Sequence, residues 1–182
     1  MILYKLTDSE GNTRNDTHWD IGVSHAVACG EPKLCTSTVL HAYTSPLLAA
    51  LMNPVHANYQ QPKCFVCEGD IAVTDGTKVG CQSLKVTGTF ELPVLTSVQK
   101  AAFGIYAALG VCKEPKFTTW AELWLSGKDR SHNAAYAAAT AATAAAAAAA
   151  DAAVYAAVYD AAAAKDRIIN FQALAEKAME VV

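Results

Sequence analysis

The sequence has no concentration of positive charge. Its formal net charge is −3 over 182 residues, and residues 1–133 carry 11 Lys and Arg against 12 Asp and Glu. Proteins that bind nucleic acid through its phosphates need a basic stripe or patch, and anionic membrane surfaces attract the same feature. We therefore expect no nucleic-acid partner and no membrane-surface role.

Long runs of strongly apolar residues are also missing. The first residues lack the apolar core and small-residue cleavage site of a secretory signal, which predicts a cytoplasmic protein. The uncharged stretch 134–150 is mostly alanine, which is only marginally apolar, and Asp151 follows it directly. We therefore expect no membrane-spanning helix.

Familiar catalytic motifs are absent too: there is no P-loop, Rossmann glycine fingerprint, Ser-His-Asp order or paired-carboxylate motif. Cys64 and Cys67 have the spacing of a metal or redox pair, but they lie in a strand-favouring run where positions three apart face opposite sides. With no second such pair, we expect reduced, buried cysteines, no metal and no cofactor. This favours a binding role over catalysis.

The pattern that is present predicts strands first and helices afterwards, which is typical of an α+β fold. We expect an antiparallel, β-rich head domain over residues 1–133. Its predicted strands are Ile2–Leu6, Leu34–Tyr43, Lys63–Val73 and a pair formed by Lys78–Leu84 and Lys85–Leu92.

Short helices are predicted within the head. Ser45-Pro46 begins the first, which Asn53-Pro54 should stop. Capping boxes at 96–99 and 119–122 begin two more, and Gly127 should end the last of these.

Residues 134–182 are expected to form an Ala-rich helical arm. From Ala134 to Ala164, 22 of 31 residues are alanine, the strongest helix former. An isolated alanine helix is only marginally stable in water, so we expect close packing against the C-terminal segment Asn170–Val182 or a second copy of the chain. The arm's partner-binding candidates are Tyr136, Tyr155 and Tyr159.

Four head residues are candidate ligand-binding groups. His41 lies between a predicted strand and a proline-started helix, where loops often present functional groups. A histidine bonded to backbone at a strand end is the simpler interpretation. Tyr43 and Trp19 could instead be core or rim aromatics, and Glu68 is the acidic residue of interest in the strand region.

Several motifs in the head are similar to those of an uncharacterised family of small phage, prophage and bacterial proteins, whose relatives also have an Ala-rich tail. These motifs are Tyr4-Lys5, Trp19 with Gly22 and His25, Leu34-Cys35, Leu40-His41-Ala42-Tyr43, Ser45-Pro46-Leu47-Leu48-Ala49, Asn53-Pro54, His56-Ala57, Lys78-Val79-Gly80-Cys81 and the segment from Trp120 to Gly127. The resemblance implies relatives and no particular mechanism. Together with the missing catalytic motifs and the helical arm, it favours a phage-type effector that docks a bacterial host protein and inhibits a defence system.

A weaker resemblance is to ADP-ribosyltransferase-like folds. Leu40–Tyr43, the helix after it and Val66-Cys67-Glu68-Gly69 follow the order of motifs found there. The first strand, Leu3–Leu6, has neither the Arg nor the His-Gly of those folds. This resemblance implies binding of an NAD-derived nucleotide, with His41, Tyr43 and Glu68 meeting in one cleft.

Overall fold

The computed structural model describes residues 1–14, 16–28, 30–112, 114–131 and 169–182. Antiparallel sheets precede the helices, so the chain has the predicted α+β fold. The chain divides into two compact units, Met1–Leu95 (unit 1) and Thr96–Val182 (unit 2). Most of the predicted Ala-rich arm, including its three tyrosines, lies outside the described residues.

Unit 1 consists of strands and one helix. The strands are β1 (Ile2–Thr7), β2 (Asn12–Thr13), β3 (Thr17–His18), β4 (Ser24–Ala26), β5 (Leu40–Ala42), β6 (Lys63–Glu68), β7 (Ile71–Thr74), β8 (Val79–Cys81) and β9 (Ser83–Phe90), and helix α1 is Pro46–His56. They form a four-stranded sheet in the order β1-β6-β9-β4, a three-stranded sheet in the order β5-β8-β7, and the small pair β2-β3.

The core of unit 1 follows the two-residue period of its strands. One face of β1 turns Leu3 inward, and Cys67, Leu84 and Val86 of β6 and β9 join it in a cluster around Trp19. Lys5 lies two residues after Leu3, so the same period carries its side chain to the buried face, where it is only 8% exposed. The sheet therefore buries a lysine among apolar side chains.

Several local predictions in unit 1 are wrong. Of the predicted strand Leu34–Tyr43, the structure forms only β5, and the predicted strand Lys63–Val73 is divided into β6 and β7, which lie in different sheets.

β8 and β9 do not pair with each other, because Gln82 alone separates them and the tightest common hairpin needs two loop residues. Each joins a different sheet. Helix α1 also continues past Pro54 to His56, and its last turn is closed by the bond from Ala57 N–H to the Asn53 carbonyl.

Unit 2 contains helices α2 (Ser97–Val111), α3 (Pro115–Leu125) and α4 (Phe171–Met179). The predicted capping box at 96–99 is present, with both reciprocal hydrogen bonds. The box predicted at 119–122 lies inside a helix instead. Helix α3 begins earlier because the Glu114 carboxylate accepts from Phe117 N at 2.8 Å and Pro115 supplies the first helical residue.

The C-terminal segment contacts α2, and the predicted packing of the Ala-rich arm against that segment lies outside the described residues. Helix α4 packs on α2, where the rings of Phe103 and Phe171 are 6.4 Å apart and Gln99 Nε2 donates to the Met179 carbonyl at 3.3 Å. These contacts place α2 in the same compact unit as the C-terminus. The compact units divide at 95/96, and the predicted boundary at 133/134 lies outside the described residues and stays a prediction.

Candidate functional site

A cavity of about 900 Å³ opens in unit 1. It lies beside the sheet core, and its walls come from β1, the β2-β3 pair, the segment that leads into β5, and the end of α1. Ligand pockets for small molecules usually measure about 300–1,000 Å³. The cavity therefore has room for a ligand the size of a nucleotide.

Lys5 occupies the buried part of the cavity wall. Its Nζ donates to the His41 carbonyl at 2.8 Å and lies 4.8 Å from the centre of the Trp19 ring. Burial lowers the pKa of Lys5 to about 8, since removal from water disfavours the charged form. Within the described part of the chain, no carboxylate oxygen lies within 4.0 Å of this amine. This ammonium group therefore has no acidic partner among the residues that the structure describes.

Trp19 fixes the aromatic side of this arrangement and is 1% exposed. Its Nε1 donates to Thr13 Oγ1 at 2.9 Å, which links the indole to β2. The His25 ring packs edge-on against it at 4.6 Å between centroids, and His25 Nε2 donates to the His18 carbonyl at 2.7 Å. Because these contacts leave Trp19 almost fully buried, the indole holds Lys5 in position and is not a surface on which a ligand stacks.

His41 is held in its neutral form. Its Nε2 accepts a hydrogen bond from Cys35 N at 2.9 Å, so the ring proton resides on Nδ1. Burial lowers its pKa to about 4, assisted by the positive charges of Lys5 and Lys78. Cys35 adopts a left-handed backbone with φ of 62°, a conformation that costs free energy for a residue with a side chain. His41 therefore organises this loop while remaining uncharged at neutral pH.

Tyr43 and His56 form a hydrogen-bonded pair in which both side chains are neutral. The Tyr43 hydroxyl and His56 Nδ1 are 3.1 Å apart, and their rings are stacked with centroids at 5.9 Å. Backbone hydrogen bonds in both directions between Tyr4 and Tyr43 fix the position of this tyrosine beside β1. Burial raises the pKa of Tyr43 and lowers that of His56. Both groups stay uncharged at neutral pH but keep the ability to exchange a hydrogen-bonding proton.

The charged residues in the wall are mostly cations. Arg14 is exposed at the rim, and Lys78 is half-buried with its Nζ 3.3 Å from Cys35 Sγ. Among the described wall residues, Asp8 is the carboxylate, and its Oδ1 already accepts from the backbone amides of Glu10 and Asn12. Together with Lys5, the wall carries three cations against one carboxylate that is committed to a turn.

The structure brings three of the four predicted ligand-binding residues together. Trp19, His41 and Tyr43 line the cavity, whereas Glu68 does not. Glu68 ends β6, with Ile2 and Lys85 as its register partners, and its side chain is exposed. The predicted meeting of His41, Tyr43 and Glu68 in one cleft is therefore not found, because Glu68 lies at a sheet end outside this cavity.

The partner-binding candidates Tyr136, Tyr155 and Tyr159 lie outside the described residues. Docking of a bacterial host protein, or self-association through the arm, therefore stays a prediction.

Several wall residues were not singled out as site residues from the sequence, notably Lys5, His56, Tyr59 and Lys78. Lys5 had a local signal, since it falls on the inward face of the alternating strand Leu3–Leu6. Tyr59 had none, because Asn53 positions it through two hydrogen bonds across the end of α1.

The cysteines agree in part with the prediction. Cys64, Cys67 and Cys81 are buried free thiols, whereas Cys35 is exposed. No group of three or more His, Cys, Asp and Glu side chains within the described ranges is placed to hold a metal ion.

None of the helices among the described residues combines the length and apolar character needed to cross a bilayer.

Comparison with known proteins gave no match to a family model, a curated protein or a solved structure.

Proposed function

We propose that unit 1 binds a small anionic ligand of the nucleotide class in the cavity beside His41 and Tyr43. The observation that carries this proposal is the charge of the wall, in which Lys5, Arg14 and Lys78 face one turn-bound carboxylate. An anion that enters such a space gains charge-assisted hydrogen bonds from cations that, among the described residues, have no carboxylate oxygen within 4.0 Å.

The remaining wall groups suit a nucleotide better than a bare anion. Tyr59 is half-buried and His56 presents a ring at the same wall, so a planar base could stack there. Hydroxyl groups of Thr13, Thr17 and Thr36 supply hydrogen-bonding partners for a sugar. NAD, ADP-ribose and cyclic nucleotides are therefore the ligands to test.

A thermal-unfolding screen tests the proposal directly. A ligand present at 100 times its Kd should raise the free energy of unfolding by about 2.7 kcal/mol. Lys78→Gln should weaken binding of the best ligand by about tenfold or more, because a hydrogen bond to a charged group contributes roughly 1.5–3 kcal/mol.

The matched control is Lys63→Gln. Lys63 is exposed at the start of β6 and is not a wall residue, so its loss should leave the affinity unchanged. The proposal is wrong if no nucleotide stabilises the protein, or if the two substitutions weaken binding equally.

A further inference from the structure

Lys5 differs from the other cations of the cavity in ways that ligand binding alone does not require. Arg14 and Lys78 are accessible to solvent and could hold an anion by themselves. Lys5 is 8% exposed and has no carboxylate partner among the described residues. An ammonium group in that position bears the desolvation cost without the compensation of an ion pair.

The neighbours of Lys5 do not supply a negative charge. Cys67 and Cys81 are buried thiols close to the amine, and burial raises the pKa of Cys67 to about 11. Both the His41 carbonyl and the Trp19 ring contact Nζ without carrying a full charge. The surroundings therefore raise the share of the neutral amine above that of an ordinary lysine, and the neutral amine has a free electron pair and is a nucleophile.

We infer that Lys5 is a covalent capture site, at which its ε-amine forms an imine with an anionic ligand that carries an aldehyde or ketone. This inference rests on the proposed anion-binding function, since Arg14 and Lys78 would hold the acid group while the carbonyl reaches Lys5.

The reaction balances with groups of this chain. The Lys5 electron pair attacks the carbonyl carbon, and one nitrogen proton is transferred to the carbonyl oxygen to give a neutral carbinolamine. The second nitrogen proton is then transferred to the hydroxyl, which leaves as water as the C=N bond forms, so that one amine and one carbonyl yield one imine and one water. The Tyr43 hydroxyl and His56 Nδ1, 3.1 Å apart in the same wall, can pass the protons that these steps exchange.

The share of reactive amine supports this role. With a pKa of about 8, roughly a fifth of Lys5 is neutral at pH 7.4. For an ordinary lysine, with a pKa near 10.4, the share is about one in a thousand.

ADP-ribose and NAD, two ligands of the proposed class, differ in whether they can present an aldehyde to Lys5. The terminal ribose of ADP-ribose opens to an aldehyde, whereas the corresponding carbon of NAD is bonded to nicotinamide. Both carry the same diphosphate. We expect ADP-ribose to be captured at Lys5 and NAD to bind reversibly.

The experiment is reductive trapping of the full chain at pH 7.5 with cyanoborohydride and either ADP-ribose or glyoxylate, followed by peptide mass spectrometry. Trapping at Lys5 should be at least tenfold faster than at exposed Lys63. Fragment ions must separate Lys5 from the Met1 amine, which lies in the same tryptic peptide. Trapping at Lys5 no faster than at Lys63 would overturn the inference.

Two further measurements keep the outcomes distinct. Acetaldehyde, which lacks an acid group, should show no more than a small preference for Lys5, and Lys78→Gln should slow trapping of glyoxylate but not of acetaldehyde. An equal preference for both aldehydes would refute the role of the acid group.

Calorimetry with NAD, without reductant, tests reversible binding. If NAD binds but no aldehyde is trapped at Lys5, the imine alone is refuted. If there is neither binding nor trapping, the cavity is refuted as a ligand site.

Discussion

Unit 1 places charged and hydrogen-bonding groups next to its core, whereas unit 2 packs small and aromatic side chains between helices. In unit 1 the amine of Lys5 contacts the indole of Trp19, a member of the core cluster. In unit 2 the core between α2 and α3 consists of Ile105, Phe117 and Ala121. Unit 2 also buries polar atoms, Trp120 Nε1 and Gln172 Oε1, so the contrast concerns charge: among the described residues, the buried charged side chain is Lys5 of unit 1.

The largest expected effect is the loss of folding stability when Trp19, which contacts Lys5 in the sheet core, is replaced. Trp19→Ala removes a fully buried indole, which should lower the free energy of unfolding by about 3–5 kcal/mol. Chemical denaturation measures this loss. Trp124→Ala in unit 2, where the indole is half-buried under Arg130, should cost clearly less. Equal losses would contradict the contrast between the two units.

The second prediction concerns the stability cost of the buried amine. Lys5 has a pKa of about 8 in the fold against 10.5 ordinarily, so between these values the unfolded chain binds more protons. The free energy of unfolding should therefore rise with pH across this window, by at most about 3 kcal/mol.

Lys5→Met provides the reference for that measurement. Methionine keeps an unbranched side chain, one heavy atom shorter, without a titrating group, so the difference in stability between wild type and variant should change from pH 7 to pH 11. A difference that is independent of pH would show that burial does not perturb Lys5.

The third prediction uses a close approach beside the cavity. A Cβ added to Gly80 would lie 2.9 Å from side-chain atoms of Val39 and Val73, and Gly80 is the register partner of His41. Gly80→Ala should lower the free energy of unfolding by about 1–3 kcal/mol and weaken ligand binding. Gly88→Ala, which meets no atom within 4 Å, is the control and should be nearly neutral.

The smallest effect has the opposite sign and lies in unit 2. Gly104 is exposed in the middle of α2, and a Cβ there meets no atom within 4 Å. Gly104→Ala should raise the free energy of unfolding by about 0.5–1 kcal/mol, because alanine loses less backbone entropy in a helix. Thermal unfolding followed by circular dichroism measures it. Destabilisation would mean that other atoms pack against this face of α2 and clash with the added methyl group.

Local signals determined much of the helical structure. The capping box at Thr96, the proline after Ser45 and the glycine at 127 each act within a few residues, so the sequence predicts their consequences directly. Glu114 shows what such local patterns miss. Its carboxylate caps α3, whereas the Thr-x-x-Glu pattern that begins five residues later has no capping role.

The candidate site depended on contacts between distant parts of the chain. His41 and Tyr43 were recognisable as a possible site. Their meeting with Lys5, Trp19 and Lys78 requires strands to pair across separations as large as the 66 residues from Ile2 to Glu68. Glu68 was an equally plausible candidate from the sequence, but it lies at a sheet end outside the cavity.

The sequence by itself determined the α+β order, the helix starts at Ser45 and Thr96, and β1 as the opening strand. Only the tertiary structure decided that the buried lysine of β1 has no acidic partner among the described residues, because this depends on every segment that packs around it.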